Sequence, residues 1–224
     1  MAGTLAGLIL DLDGLAIDSE STYRAAWRAA AAEMGYRYSD ADWAGLLGLS
    51  GPEVLAGLAN LAGDGFDQAR FRQLSGEIWL AQVETDGIAV KPGLPELLEA
   101  AQAAGIPYCI ATNSRTAAAR RSLAYAGLAE TFPLLVAVDQ VARGKPAPDV
   151  YLEAARRLGL PASACLALED SPVGVAAAVA ADIRCWLVPS SYPVDALAGR
   201  QAERVLSDLR EAADFISAAR SLPL

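Results

Sequence analysis

Short apolar runs recur along this chain at residues 7–12, 106–111 (IPYCIA), 134–138 (LLVAV), 165–168 (CLAL) and 183–188 (IRCWLV). Apart from Asp11 and Arg184, each is apolar or nearly so on consecutive residues, so neither side of it suits water. Runs of this kind fit strands buried on both faces, which points to a parallel sheet covered by helices. The segments between them carry helix punctuation. LPELLEAAQAAG closes on Gly105, and APDVYLEAARRLG opens behind Pro146 and Pro148 and closes on Gly159. In SPVGVAAAVAAD, Ser171 fits an N-cap and Pro172 the first helical position. Alternation of strands and helices in this order predicts an α/β fold built on a doubly wound parallel sheet.

Residues 18–87 break the alternation. SESTYRAAWRAAAAEMG, SDADWAGLLG, GPEVLAGLANLAG and DQARFRQLSGEIWLAQVE read as amphipathic helices with no strand among them. Ser39 and Asp42 resemble a capping box with Asp in place of Glu. The α/β pattern resumes only after KPG at 91–93. The expected organisation is a Rossmann-like core from residues 1–17 and 88–224, with a small α-helical cap domain at 18–87 inserted behind the first strand. A length of 224 residues, long for one ordinary domain and short for two, agrees with a core carrying an insertion.

Charge and residue usage remove several classes of function. A net charge of −9 with no basic cluster is the wrong balance for a binder of nucleic-acid backbones. No apolar run approaches the ~20 residues of a membrane span. MAGTLAGLILDLDG lacks a basic leader and is broken by Asp11, so it is not read as a signal peptide, and the expected location is the cytoplasm. Cys109, Cys165 and Cys185 lie in apolar strand-like runs without metal spacing, as buried thiols of a reducing compartment would. There is no histidine. That excludes the commonest general base and any Ser-His or Cys-His triad.

In an open parallel α/β sheet, ligands collect at the carboxyl ends of the strands. The first run ends in Asp11 and Asp13, and IPYCIA is followed by Thr112, Asn113, Ser114 and Arg115. Lys145 sits in RGKPAPD before the next helix, and CLAL is followed by Glu169, Asp170 and Ser171. Each group has a local reading. Asp-x-Asp-Gly fits a turn, Thr-Asn-Ser a helix cap, Lys145 a solvated loop, and Glu-Asp-Ser an N-cap. Together they bring acids, a hydroxyl and a lysine to four strand ends facing one crevice.

LILDLDGLAIDSE, ATNS, GKPAPDVY and LALEDSPVGVAAAVAA resemble, in order, the four signature motifs of the haloacid dehalogenase superfamily. The nearest branch is that of the sugar-phosphate phosphatases and β-phosphoglucomutase-like proteins, and the resemblance covers essentially the whole chain. It implies that Asp11 is a nucleophile toward phosphorus, giving an aspartyl-phosphate that splits one hard displacement into two easier ones. It implies that Asp13 is the general acid for the leaving alkoxide and then the base that activates water. Mg²⁺ is the implied cofactor. Its implied ligands are Asp11, the Asp13 backbone carbonyl and Asp170, with Glu169 bound through water or placed just behind them. Lys145 is implied to neutralise phosphoryl and Asp11 charge, while the Thr112 hydroxyl and the Asn113 backbone N–H hold the phosphoryl oxygens. Substrate contacts are expected from Glu20, Tyr23, Trp27, Leu49 and Ser50 of the cap, with Asn113 and Arg115 from the core. Tyr23 and Trp27 equally fit packing inside the cap, Glu20 a helix-dipole role, and Arg115 a surface ion pair.

Within the resembling family, an acid two residues after the nucleophile separates phosphate-ester chemistry from dehalogenation. This chain has that acid in Asp13. The β-phosphoglucomutases carry a histidine where this chain has Tyr23, and an arginine in a Gly-x-Ser-Arg loop that here reads Gly48-Leu49-Ser50-Gly51. The expected activity is therefore a Mg²⁺-dependent phosphatase for a small phosphorylated sugar or related metabolite. The alternatives are a phosphosugar mutase and a non-catalytic metabolite-binding protein. The expected assembly is a monomer or weak homodimer. Relatives also place Gly where this chain has Asp182. A left-handed helix stop there predicts a small stability cost, since Asp tolerates that conformation better than most residues but worse than Gly.

Overall fold

The five apolar runs become five strands, each ending within two residues of its predicted limits: β1 (Gly7–Leu10), β2 (Tyr108–Thr112), β3 (Leu135–Ala137), β4 (Cys165–Glu169) and β5 (Arg184–Leu187). The computed structural model describes residues 5–46, 51–63, 65–190 and 193–220. A further strand, β6 (Arg204–Val205), pairs with β5 and completes a six-stranded parallel sheet in the order β3-β2-β1-β4-β5-β6. Both β6 residues are exposed at the sheet edge, so no apolar run announced them.

Register decides where the strand ends fall. Leu10 lies opposite Ile110 of β2 on one side and Leu168 of β4 on the other. The Asp11 N–H continues the ladder by donating to Leu168 O at 3.0 Å. The carboxyl ends of β1, β2 and β4 therefore finish level. β1 is also where the winding direction reverses, the position at which such sheets open a crevice.

Helices cover both faces. In chain order the helices are α1 (Ser19–Glu33), α2 (Asp40–Ala44), α3 (Gly51–Ala62) and α4 (Gln68–Asp86), which lie in or lead into the insertion, and α5 (Leu94–Ala103), α6 (Thr116–Tyr125), α7 (Asp149–Leu158), α8 (Pro172–Ala180), α9 (Ala196–Gln201) and α10 (Leu209–Arg220), which belong to the core. Ile9, Cys109, Ala167 and Cys185 face a core shared with Tyr151 and Ala154 of α7 and Val175 and Ala178 of α8. On the opposite face, Trp186 of β5 meets Phe215 of α10 edge-on at 4.9 Å. Fully burying an aliphatic or aromatic side chain of this size contributes about 1.5–3 kcal/mol, which is how β1, with all four residues buried, becomes the centre of the sheet. Ser171 caps α8 by accepting from the Gly174 N–H, with Pro172 at the first helical position. The residue after the α8 stop, Asp182, has φ +57°, so the expected left-handed conformation is present without glycine.

Residues Glu20–Gly87 form a second compact unit containing the rest of α1 together with α2–α4. Its interior is apolar and aromatic: Ala30, Ala31, Trp43, Val54, Leu55, Leu58, Phe71 and Leu74. The Ser39–Asp42 capping box forms in full, each side chain accepting from the other's backbone N–H. The three cysteines are buried and free. Among the described residues, no helix is long and apolar enough to cross a membrane.

Candidate active site

The level strand ends place Asp11, Thr112, Glu169 and Asp170 beside one another, and the loop before α7 adds Lys145. The Lys145 ammonium donates to Asp11 Oδ1 at 2.5 Å and to Glu169 Oε1 at 2.6 Å. All three groups are nearly or wholly buried. Ion pairs of this kind cost several kcal/mol in desolvation per ion, so geometry and further hydrogen bonds have to offset that cost. Glu169 shows the offset most fully. Its Oε1 also accepts from the Tyr151 hydroxyl at 2.5 Å, and its Oε2 from the Asp170 N–H at 3.1 Å and the Ser171 hydroxyl at 3.3 Å.

Glycines permit these approaches. Gly14 has φ +91°, and a Cβ there would lie 2.1 Å from Asp170 Oδ2. The turn after Asp13 can therefore close against Asp170 only with glycine. A Cβ at Gly174 would lie 1.8–1.9 Å from the Glu169 carboxylate.

Asp13 stands apart from the lysine. It accepts hydrogen bonds from Ser19 Oγ at 2.5 Å, Ser114 Oγ at 2.7 Å and Thr112 Oγ1 at 3.4 Å. Thr112 Oγ1 itself accepts from the Ser114 N–H at 2.9 Å. Two neighbouring carboxyl groups thus have different surroundings, Asp11 a cation and Asp13 hydroxyls. Different surroundings are what let a pair of acids take different roles.

Asn113 is tied to the lysine loop through its side chain. Its Oδ1 accepts from the Lys145 N–H at 2.8 Å, and its Nδ2 donates to the Lys145 carbonyl at 3.1 Å. The amide therefore clamps the peptide that carries Lys145. Arg115 is exposed. Asp139 accepts from the Thr116 N–H and hydroxyl at the start of α6, and those bonds, assisted by the nearby Arg115 charge, hold its carboxyl below its usual range. In the helical unit, Glu20 lies in the first turn of α1. Tyr23 stacks on Trp79 at 5.0 Å and on Trp27 at 6.1 Å, and Trp27 packs against that unit's core. Leu49 and Ser50, the remaining expected substrate contacts, lie outside the described residues.

Three contributors carry no local sequence signal for their contacts: Ser19, the Ser114 hydroxyl and Tyr151. Ser114 lies in ATNS directly after Thr112 and Asn113, where it fits a helix cap. Ser19 reads as a helix cap, and Tyr151 sits on the apolar stripe of an amphipathic helix, so neither carried a signal of its own.

The charges do not balance within the protein. Burial pushes the Asp11 carboxyl well above its usual range, Lys145 opposes that, and Glu169, Asp170 and Asp13 add to it. Burial alone would lower the Lys145 value, but Asp11 and Glu169 outweigh it and hold the ammonium charged. Four neighbouring carboxyl groups thus have one lysine among them, and it pairs with two, Asp11 and Glu169. One carboxylate oxygen from each of Asp11, Glu169 and Asp170 can be chosen so that all lie within 4.8 Å of one another. Excess negative charge on an all-oxygen set of this kind fits a hard divalent cation, with Asp11 and Asp170 offering the oxygens and Glu169, whose own oxygens are taken by four donors, standing behind them.

The family model of haloacid dehalogenase-like hydrolases matches residues 5–182. The chain is 35% identical to Protein CbbY of Rhodobacter capsulatus over 197 residues, 84% of this chain and 87% of that protein. It is 32% identical to hexitol phosphatase A of Escherichia coli (strain K12) over 217 residues, 92% of each. Among solved structures, a HAD family hydrolase of Deinococcus radiodurans R1, with bound phosphate and sodium, superposes with a TM-score of 0.80 at 30% identity and 100% coverage of both chains.

Proposed function

The chain belongs to the haloacid dehalogenase-like hydrolases, and from that starting point we propose that it is a Mg²⁺-dependent phosphatase acting on a small phosphorylated sugar or related metabolite. The observation that carries the reading is the pairing of Asp11, beside the Lys145 ammonium, with Asp13, two residues on and held by three hydroxyls. A carboxylate nucleophile alone leaves the alkoxide leaving group without a proton. A second carboxyl group at this spacing supplies one. Hexitol phosphatase A supports the substrate class, and the phosphate bound in the Deinococcus hydrolase supports the type of anion.

In this reading an Asp11 oxygen bonds to phosphorus as the ester P–O bond breaks, and Asp13 gives its proton to the departing alkoxide. Asp13 then takes a proton from water, whose oxygen attacks phosphorus and releases Asp11 and inorganic phosphate. Lys145 keeps Asp11 in one orientation and offsets phosphoryl charge. The Thr112 hydroxyl and the Asn113 backbone N–H are assigned to the phosphoryl oxygens, while the Asn113 side chain fixes the Lys145 peptide. Asp11, Asp170 and the Asp13 carbonyl would hold Mg²⁺, which when bound supplies counter-charge for the incoming dianion. Gly51 stands where the resembling mutases have an arginine, which favours hydrolysis over transfer within a sugar bisphosphate.

Phosphate release from a panel of sugar phosphates, with Mg²⁺ and after chelation, tests the proposal. We expect turnover of at least one panel member that requires the metal and falls at least about 10³-fold in Asp11→Asn. Activity that survives in that variant, or is indifferent to chelation, overturns it.

A further inference from the structure

An ionised carboxylate offers about four lone-pair positions. In Glu169 all four have donors: Lys145 and Tyr151 on Oε1, Asp170 N–H and Ser171 on Oε2. Glu169 is wholly buried, and the Gly174 backbone closes over the carboxylate without room for a Cβ. A group enclosed in this way acts through what it holds, and the mobile group it holds is the Lys145 ammonium. A lysine head on a four-carbon stem has three rotatable donors and stays in one place only if its partners do.

Tyr151 touches both members of that pair. Its hydroxyl donates to the same Glu169 oxygen that receives Lys145, and its ring face lies 5.0 Å from Lys145 Nζ. It is fully buried in the first turn of α7, on a different element from both the Lys145 loop and Glu169. The hydroxyl restricts where the shared oxygen can move, and the ring closes one side of the ammonium. We propose that Tyr151 is a positioning residue of the active site, fixing the Glu169–Lys145 pair so that Lys145 meets Asp11 in a single orientation. This rests on the phosphatase reading for its catalytic consequence, but its structural content stands without turnover.

The chain has two lysines, Lys91 and Lys145. Labelling with ¹⁵N-lysine therefore gives an ammonium spectrum with two signals. In the wild-type protein the Lys145 signal should be present and slow to exchange its protons with water. Tyr151→Phe keeps the ring and deletes the hydroxyl. It should leave the melting temperature within a few degrees while the Lys145 signal broadens or exchanges faster. With p-nitrophenyl phosphate and Mg²⁺, kcat should fall about 10-fold with KM changed less than about twofold. In a Glu169→Gln background the same substitution should add little, because both changes act on one contact.

A Lys145 signal unaltered by Tyr151→Phe, or a wild-type Lys145 ammonium that exchanges as fast as Lys91, overturns the proposal whether or not kcat changes. A full additive effect in the Glu169→Gln background overturns it as well. If wild-type protein turns over nothing, the phosphatase reading fails by itself, and the spectrum still decides the role of Tyr151.

Discussion

The α/β core and the helical insertion bury different things. Among the described residues, the buried charged side chains are Asp11, Lys145, Glu169 and Asp170, and all lie in the core. The insertion buries Trp43, Phe71, Trp79 and aliphatic residues, with Ser75 as its buried polar side chain. An apolar interior follows from the hydrophobic effect alone. A buried cluster of four ionisable groups does not, because well-packed apolar residues of similar volume would often be at least as stable. The difference sets the core apart as the place of the proposed chemistry, because burial of these charges is an arrangement that stability alone does not favour.

Removing one key residue from each interior gives the sharpest test. Lys145→Met leaves Asp11 and Glu169 buried without their cation and should cost about 3–5 kcal/mol. Phe71→Ala, at a site 2% exposed, should cost a similar amount, about 3–5 kcal/mol, by opening a cavity. Their pH dependence should separate them. The folded-state value of Lys145 is raised above the ordinary 10.5, so its contribution is complete below pH 10.5 and is lost as pH rises through the raised value. At the acid end, protonating Asp11, whose carboxyl burial already pushes above its usual range, should shrink the Lys145→Met penalty, while the Phe71→Ala penalty stays flat. Urea titrations between pH 4 and 9 check this, and two flat profiles would erase the contrast. Hydrogen exchange on Phe71→Ala adds a second measure. Amides of α3 and α4 should lose protection, and equal loss across β1 and β4 would mean that the two units unfold as one.

A subtler change tests packing around the charges themselves. Gly174→Ala forces a methyl toward the Glu169 carboxylate and should destabilise by about 1–3 kcal/mol, more if the carboxylate cannot move. Thermal denaturation reads the loss, and a crystal structure of the variant should show Glu169 displaced. The smallest expected effect is favourable. Asp182→Gly relieves a non-glycine residue at φ +57° and should raise stability by about 0.5 kcal/mol with activity unchanged. A loss of stability there would show that the Asp182 side chain has a compensating contact.

Much of the core was readable because its signals are local and redundant. Each strand of β1–β5 announced itself by a continuous apolar run, and α7 and α8 by proline, serine and glycine at their ends. β6 was unreadable because two exposed edge residues have no apolar requirement to satisfy. Candidate site residues could be located from strand ends, since parallel sheets present ligands there. The partners that hold them could not. Asn113 was read for its backbone, yet its side chain clamps the Lys145 peptide across 32 residues of sequence.

Sequence alone determined the fold class and which acids, hydroxyls and lysine stand at the ends of the strands, because periodicity and punctuation act over a few residues. It also determined that chemistry here proceeds without histidine. Only the tertiary structure decided how those groups are partnered: Asp11 with an ammonium, Asp13 with three hydroxyls, and Glu169 enclosed by four donors. Pairing of that sort depends on register between strands and on close backbone approach at Gly14 and Gly174. Those distances are set by the packing of segments far apart in the chain, which no local pattern encodes.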